Sequence, residues 1–310
     1  MALRYNLVLC FHDNMNLADF VKIGKYVRAL DPEIHVYVVP REEGLRDYRA
    51  KARPTLIFCP RSVRRDRFPN GKIYCGQPIS KIEQMKVMSR YGLPVPRWQT
   101  IVPGAQYEAE KWGPIVVTKP TALGSSSYSR GVAASRPEDL SYLPPASFPE
   151  GHPGRDGPML IQQFINTGLY PAQIRVLTLF GEPLYTEQIR AEEPHPMPEP
   201  VTAESVAAWT ITPVTVKRVR SFVYDDDILR LARRAYGAFP DVPLQACDII
   251  REDSTKKLFI LEINPGGNTW HFSSRFAQSQ RIDGRRREEQ FDAFRVAARV
   301  LAERTRNDAR

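Results

Sequence analysis

The sequence predicts a protein of mixed α/β and α+β class, with a small N-terminal α/β domain ahead of two further sub-domains. Three observations predict it. Short apolar runs alternate with a helical period over residues 1–79, the order that a βαβ layer produces. Strand-like runs then recur between loops rich in Pro and Gly. Near the end, two apolar runs flank a charged turn and finish on Glu-Ile-Asn-Pro-Gly, the pattern of a hairpin with one polar face.

Taken in order, Tyr5–Phe11 is a strand and Ala18–Leu30 has helical periodicity, while Ile34–Val39 and Thr55–Cys59 are short apolar runs bounded by Pro or charge. No GxGxxG follows the first strand, so nothing supports a Rossmann dinucleotide site. Ser80 is placed to cap a helix from Lys81 to Tyr91, with Glu83 at the third position of a capping box. Gly92 ends that helix, and Pro94 and Pro96 prevent its continuation. Ile115–Lys119 is the next strand, followed by the small-residue turn Gly124-Ser125-Ser126-Ser127. Arg136–Pro158 is a loop, Met159–Ile165 and Gln173–Phe180 are strands, and Ala191–Pro200 is a second loop. A helix from about Asp225 to Ala238 carries apolar Ile228, Leu229, Leu231, Ala232 and Ala235 near helical spacing. Leu244–Ile250 and Lys257–Ile263 form strands around the turn Arg251–Lys256, and a last helix places Phe291, Phe294, Ala298 and Leu301 on one stripe. The expected domains are 1–79, 80–163 and 164–310.

Composition narrows the functional classes. With 42% hydrophobic and 25% charged residues, the 310-residue chain reads as an ordinary globular protein. No apolar run approaches the roughly 18 residues of a membrane helix, and Leu7–Phe11 reads as a strand and not as a leader. A cytoplasmic protein without a membrane partner is expected. Cys10, Cys59, Cys75 and Cys247 form no CxxC and have no histidine at ligand spacing, so small thiols in a reducing compartment are expected, with neither zinc nor a disulfide framework. The net charge of +9 favours an acidic substrate, a polyphosphate or a nucleic acid as partner. The arginines of 275–310 read mainly as a solvated face.

The residues that carry chemistry lie at the hairpin. Glu262 and Asn264 share one strand face, because successive side chains alternate. A turn centred on Thr255 sets Asp248 opposite Glu262, so two carboxylates and a carboxamide converge as hard oxygen ligands suited to Mg²⁺. Lys119 ends an apolar strand and offers a point charge to phosphate. Just beyond it, the Gly124–Ser127 turn offers backbone N–H groups and hydroxyls to an anion. No Walker A motif is present. Gln162-Gln163-Phe164-Ile165 leads to a strand bearing Arg175.

The order of these features resembles the ATP-grasp superfamily over roughly Gln77 to Ser274. Around Lys119–Ser127 it looks like the D-alanine–D-alanine ligases; around Gln163–Arg190 and Asp248–Pro265 it is more similar to glutathione synthetase-like and glutamate-tail ligases. The resemblance implies an ATP-grasp fold behind an N-terminal pre-ATP-grasp domain, with ATP and Mg²⁺ as cofactors and Mn²⁺ as an alternative ion. It implies that Lys81 and Lys119 contact ATP phosphates, that Gly124, Ser125, Ser126 and Ser127 close over them, and that Gln162, Gln163, Phe164 and Ile165 hold the adenine through main-chain groups. Asp248, Glu262 and Asn264 would hold the metal, and Arg175 and Arg190 would meet the transferred phosphoryl group. Asn268, Thr269 and His271 would approach the substrate. Two positions depart from the families: Gln173 stands where glutamate-tail ligases have an acidic ribose contact, and Ala246 stands where D-alanine ligases have an arginine.

The implied activity is a carboxylate–amine ligase that works through an acyl phosphate, with a small-molecule or peptide carboxylate and an amine acceptor as partners and a homodimer as one assembly. An ATP-grasp kinase acting on a hydroxyl would use the same nucleotide residues. A basic nucleic-acid-binding protein is the third reading. It needs aromatics interleaved with basic stripes, whereas Phe291 and Phe294 read as the buried face of a helix. Arg175, Arg190, Arg218 and Arg220 are available for bidentate contacts to an anionic substrate.

Overall fold

A computed structural model describes residues 2–45, 52–68, 70–123, 129–209, 211–266, 268–280 and 282–310. The N-terminal layer comprises β1 (Tyr5–Phe11), α1 (Leu17–Leu30), β2 (Ile34–Pro40), β3 (Thr55–Cys59) and β4 (Lys72–Cys75), with its strands in the order β2-β1-β3-β4, all parallel. β4 was not legible as a strand, because Lys72-Ile73-Tyr74-Cys75 is too short to show a period. Cys59 pairs with Cys75 across β3 and β4, so thiols far apart in sequence lie side by side; all four cysteines are free.

Helix α2 (Lys81–Arg90) begins at Ser80, whose hydroxyl accepts a hydrogen bond from the Glu83 N–H. The second sheet follows: β5 (Trp98–Thr100), helix α3 (Ala109–Trp112), β6 (Val116–Pro120), β7 (Ala133–Ser135) and β8 (Met159–Gln163), in the antiparallel order β5-β8-β6-β7. Phe164 and Ile165, expected at the end of β8, leave the sheet. The Pro-rich stretch between β7 and β8 forms three single 3₁₀ turns.

The third sheet contains β9 (Ala172–Leu179), β10 (Glu182–Ala191), β11 (Arg218–Phe222), β12 (Leu244–Arg251) and β13 (Leu258–Asn264), in the antiparallel order β11-β10-β9-β12-β13. Helix α4 (Ala203–Ala207) lies between β10 and β11, and α5 (Asp226–Ala238) between β11 and β12. Asp225 caps α5 by accepting from the Asp227 and Ile228 N–H groups. Ile228, Leu231, Ala232 and Ala235 then bury against Ile174, Val176, Cys247, Ile249 and Ile263, covering one face of this sheet together with Met85 and Met88 of α2. The opposite face bears Arg175, Asp248, Glu262 and Asn264.

The short helix α6 (Arg275–Gln278) precedes α7 (Ala293–Asp308). Phe291, expected on the last helix, lies just before it and meets Tyr224 edge-on. The chain enters α7 through Asp292 in the left-handed region, φ 51°. Helix α7 packs on α1, β1 and β3, and Phe294, Ala298 and Leu301 share one core with Leu7, Leu9, Phe20 and Phe58. The last segment of the chain therefore completes the core of the first. No helix among the described residues is long and apolar enough to cross a membrane.

Candidate active site

The β12–β13 hairpin places Asp248 directly opposite Glu262. The ladder nearest the turn runs Arg251↔Leu258, Ile250↔Phe259 and Ile249↔Ile260. That pattern is centred half a residue before Thr255, and a regular ladder would oppose Asp248 to Leu261. A β-bulge at Leu261 shifts the register by one residue and restores the Asp248–Glu262 pair. The expected pairing thus forms by a different route from the regular hairpin that predicts it.

From there a polar row crosses the sheet. Glu262 neighbours Asp248, Asp248 neighbours Arg175 on β9, and Arg175 neighbours Glu187 on β10. Arg175 grips Asp248 with a bidentate pair, Nε to Oδ1 at 2.7 Å and Nη2 to Oδ2 at 2.8 Å. Asn264 Nδ2 donates to Asp248 Oδ2 at 3.1 Å. Glu262 forms an ion pair with Lys81, the first residue of α2. Buried Gln84 on α2 fixes the rear of the strand, accepting from the Ile263 N–H at 3.0 Å and donating to the Ile79 carbonyl at 3.0 Å.

Lys119 extends from β6 of the facing sheet, and its Nζ donates to Gln162 Oε1 at 2.6 Å. Burial, with Lys81 nearby, lowers the Lys119 pKa to about 8 despite the opposing effect of Glu262. Burial raises the Glu262 pKa, but Lys81 and Lys119 outweigh it and hold the carboxyl at about 2. For Arg175, burial acts against the charge and Asp248 more than restores it, leaving the pKa above the usual guanidinium value. The region is a dense set of mutually neutralising charges at low dielectric.

Several of these charges line a cleft of about 960 Å³, the open solvent at its mouth included, between the second and third sheets. Lys81, Lys119, Gln162, Gln163, Phe164, Ile165, Asp248 and Glu262 all line it. Val117, Ile250, Leu261, Trp209 and Pro213 add apolar surface to the same lining, of the kind suited to a flat ring. Gln162 sits in the middle of its sheet, paired on both sides. Its main chain is therefore committed to the ladder, and its side chain positions Lys119. Unpaired main chain begins at Phe164.

Arg190 is not drawn into this cluster. It stands three residues from Glu187 and so on the opposite sheet face, exposed, with its guanidinium 5.1 Å from the Tyr170 ring centroid. Asn268 is exposed and accepts from Asn14 Nδ2 at 3.0 Å. Thr269 is buried, and His271 lies near Arg175, Glu187 and Arg287 with its pKa lowered chiefly by burial. Gly124, Ser125, Ser126 and Ser127 lie outside the described residues. Sequence reasoning missed Gln84 and the Glu187–Arg287 pair. Alternation along Tyr185-Thr186-Glu187 carries a trace of the second, but only the β9–β10 register shows which face Glu187 takes.

Among the described residues, no group of three or more His, Cys, Asp or Glu side chains is arranged to hold a metal ion. Two carboxylates and a carboxamide remain, an all-oxygen donor set that fits a hard divalent cation completing its shell with water or phosphate.

No family model matches the chain, and no curated protein matches it. Solved structures do. The D-cycloserine synthetase DcsG aligns with a TM-score of 0.53 at 16% identity, over 97% of this chain and 99% of that one. The macrocyclase MdnC, bound with precursor peptide MdnA from Microcystis aeruginosa MRC, gives 0.51 at 13% identity over 98% and 100%. The ATP-grasp ligase PsnB, complexed with minimal precursor, Mg and ADP, gives 0.51 at 13% identity over 94% and 98%. Similarity at such low identity is a statement about architecture, and it extends across all three sheets and the cleft between the second and third: the chain has the ATP-grasp fold.

Proposed function

We propose that this protein is an ATP-dependent carboxylate–amine ligase that works through an acyl phosphate and releases ADP and phosphate. The observation that carries the reading is the row Glu262–Asp248–Arg175 beside Lys81 and Lys119, of which Glu262, Asp248 and both lysines line a cleft that also has apolar walls. Its likeness to a synthetase, a macrocyclase and a ligase that binds Mg and ADP supports it.

A free carboxylate is a poor acylating agent, because hydroxide or oxide is a poor leaving group. Transfer of the γ-phosphoryl group corrects this: the carboxylate oxygen bonds to phosphorus, the bond to ADP breaks, and phosphate becomes the next leaving group. The acceptor nitrogen then bonds to the acyl carbon, phosphate departs and the nitrogen gives up a proton. Positioning and charge neutralisation suffice for both steps, with no side-chain nucleophile.

The apolar walls and the main chain from Phe164 onward take the base. Lys81 and Lys119 meet the phosphates as point charges; Lys119, lowered to about 8 by burial, regains its proton affinity as anionic oxygens approach. Arg175 faces the transferred group. Asp248, Glu262 and Asn264 would hold Mg²⁺, which when bound supplies further neutralisation of phosphate charge.

Phosphorus NMR of a turnover mixture tests the reading. ADP and inorganic phosphate with a phosphorus-free product are expected, and hydroxylamine supplied in place of the acceptor should give a hydroxamate. A stable phosphorylated product inert to hydroxylamine would identify a kinase, and AMP with pyrophosphate an adenylating enzyme.

A further inference from the structure

Resting on the ligase reading, we propose that the acid activated in this cleft carries a second carboxylate, bound by Arg220 beyond Arg175 on the same sheet face. Glu187 is the cross-strand neighbour of Arg175, and Arg220 on β11 stands diagonally across from Glu187. All three therefore point to the side that bears Asp248 and Glu262.

Glu187 has both oxygens engaged. Arg220 Nη1 donates to Oε1 at 2.7 Å, while Arg287 Nε and Nη2 donate to Oε2 at 2.9 and 2.7 Å. One carboxylate thus serves two guanidiniums, and arginine stays charged at any working pH. Burial disfavours the charge on Arg220, and Arg287 repels it further against the attraction of Glu187.

Glu288, next to Arg287, pairs with Arg286, and among the described residues the other neighbours do not supply the missing negative charge. Asp248 is committed to Arg175, burial raises the Tyr185 phenol to about 12, and burial keeps His271 on the neutral side of its ordinary titration. Gln280, which accepts from Arg287 Nη2 at 3.4 Å, is neutral. A surplus cation in a mostly desolvated site is costly until an anion joins it.

Accessibility identifies the residue that makes the contact. Arg220 keeps 16% of its side chain exposed, against 3% for Arg287 and Glu187. Its hydrogen bond to Glu187 uses Nη1, and the guanidinium's other edge is planar and suited to a carboxylate. Arg287 and Glu187 position that edge. Arg220 lies two strands over and two residues along from Arg175, about 12 Å between backbone positions. Both guanidiniums reach up from that face, so the acid that bridges them is a short dicarboxylate or an acidic amino acid.

The test uses the full chain with ATP, Mg²⁺ and hydroxylamine as acceptor, and reads hydroxamate and ADP. Acids are compared as matched pairs: succinate with succinamate, glutarate with glutaramate, aspartate with asparagine. At least one diacid should exceed its monoamide tenfold or more in kcat/KM. Arg220→Gln should lower that ratio at least tenfold through KM for the diacid while KM for ATP holds, and Arg220→Lys should restore part of it. Equal use of diacids and monoamides, a ratio indifferent to Arg220→Gln, or a loss that appears only in KM for the acceptor would overturn the proposal and leave the ligase reading standing. Release of ADP with a phosphorylated product and no hydroxamate would overturn both.

Discussion

Lys119 and Glu262 titrate differently in the folded and the open chain, in opposite senses for stability. Folded Lys119 titrates at about 8 against an ordinary 10.5. Below pH 8 both states hold the proton and the cost of burial is present in full. Between about 8 and 10.5 the folded state releases it first, so this residue makes stability rise with pH across that window. Lys119→Met is expected to abolish this rise in urea titrations and to weaken ATP binding far more than adenosine binding by calorimetry. Equal losses for the two ligands would make the lysine purely structural. Glu262 behaves oppositely: its folded value of about 2 lies below the ordinary 4.5, so its contribution is present above pH 4.5 and is lost as pH falls through about 2. Glu262→Gln should flatten that acid limb and remove most ATP turnover at ordinary Mg²⁺. Full activity in the folded variant would sink the metal assignment. These residues were legible because their meaning is local: a lysine ending an apolar strand, an acid two positions before an amide. Glu187 and Arg287 were not, since 100 residues separate them and no local period records which strands become neighbours.

At the scale of elements, α2 and β13 act as one piece. Gln84→Ala would leave the Ile263 N–H buried without its acceptor, at a cost of about 1–3 kcal/mol, and would loosen the strand that carries Glu262 and Asn264. We expect a lower urea midpoint together with a higher Mg²⁺ requirement for turnover; a stability loss with unchanged Mg²⁺ dependence would separate the two elements. A second contact joins β4 to the turn after β13. The Gln77 N–H donates to the Pro265 carbonyl at 2.9 Å, and a Cβ on Gly76 would stand 2.4 Å from the Pro60 carbonyl oxygen and 3.0 Å from the Gly266 carbonyl carbon. Gly76→Ala is therefore expected to displace that turn and reduce activity more than it reduces the melting temperature. Strong strands and well-capped helices were readable in order. β10 and β11 were not: on β10 polar residues fall on both faces, Glu187 on one and Gln188 and Arg190 on the other, and that removes the clean alternation on which strand reading depends.

For the molecule as a whole, the decisive feature is that α7 closes the core of the N-terminal layer. Composition and pattern indicated the α/β beginning, but nothing local tells a terminal amphipathic helix which of several sheets it will cover. Residues 1–79 produced alone are expected to show no cooperative thermal transition by circular dichroism, since Leu7, Leu9 and Phe58 would lose Phe294, Ala298 and Leu301 from their common core. A sharp transition in that fragment would show that the layer needs no partner. The arrangement also bears on how the protein comes into being at the ribosome. β1, α1 and β3 leave the exit tunnel long before α7 is translated, so the sheet face that α1 and α7 share must wait, only partly covered, while both later sheets are synthesised. Between those moments the nascent chain exposes the apolar surface of α1, β1 and β3 that α7 later buries, and its yield in a cell should track the supply of chaperones that shield such surfaces more closely than its final stability does.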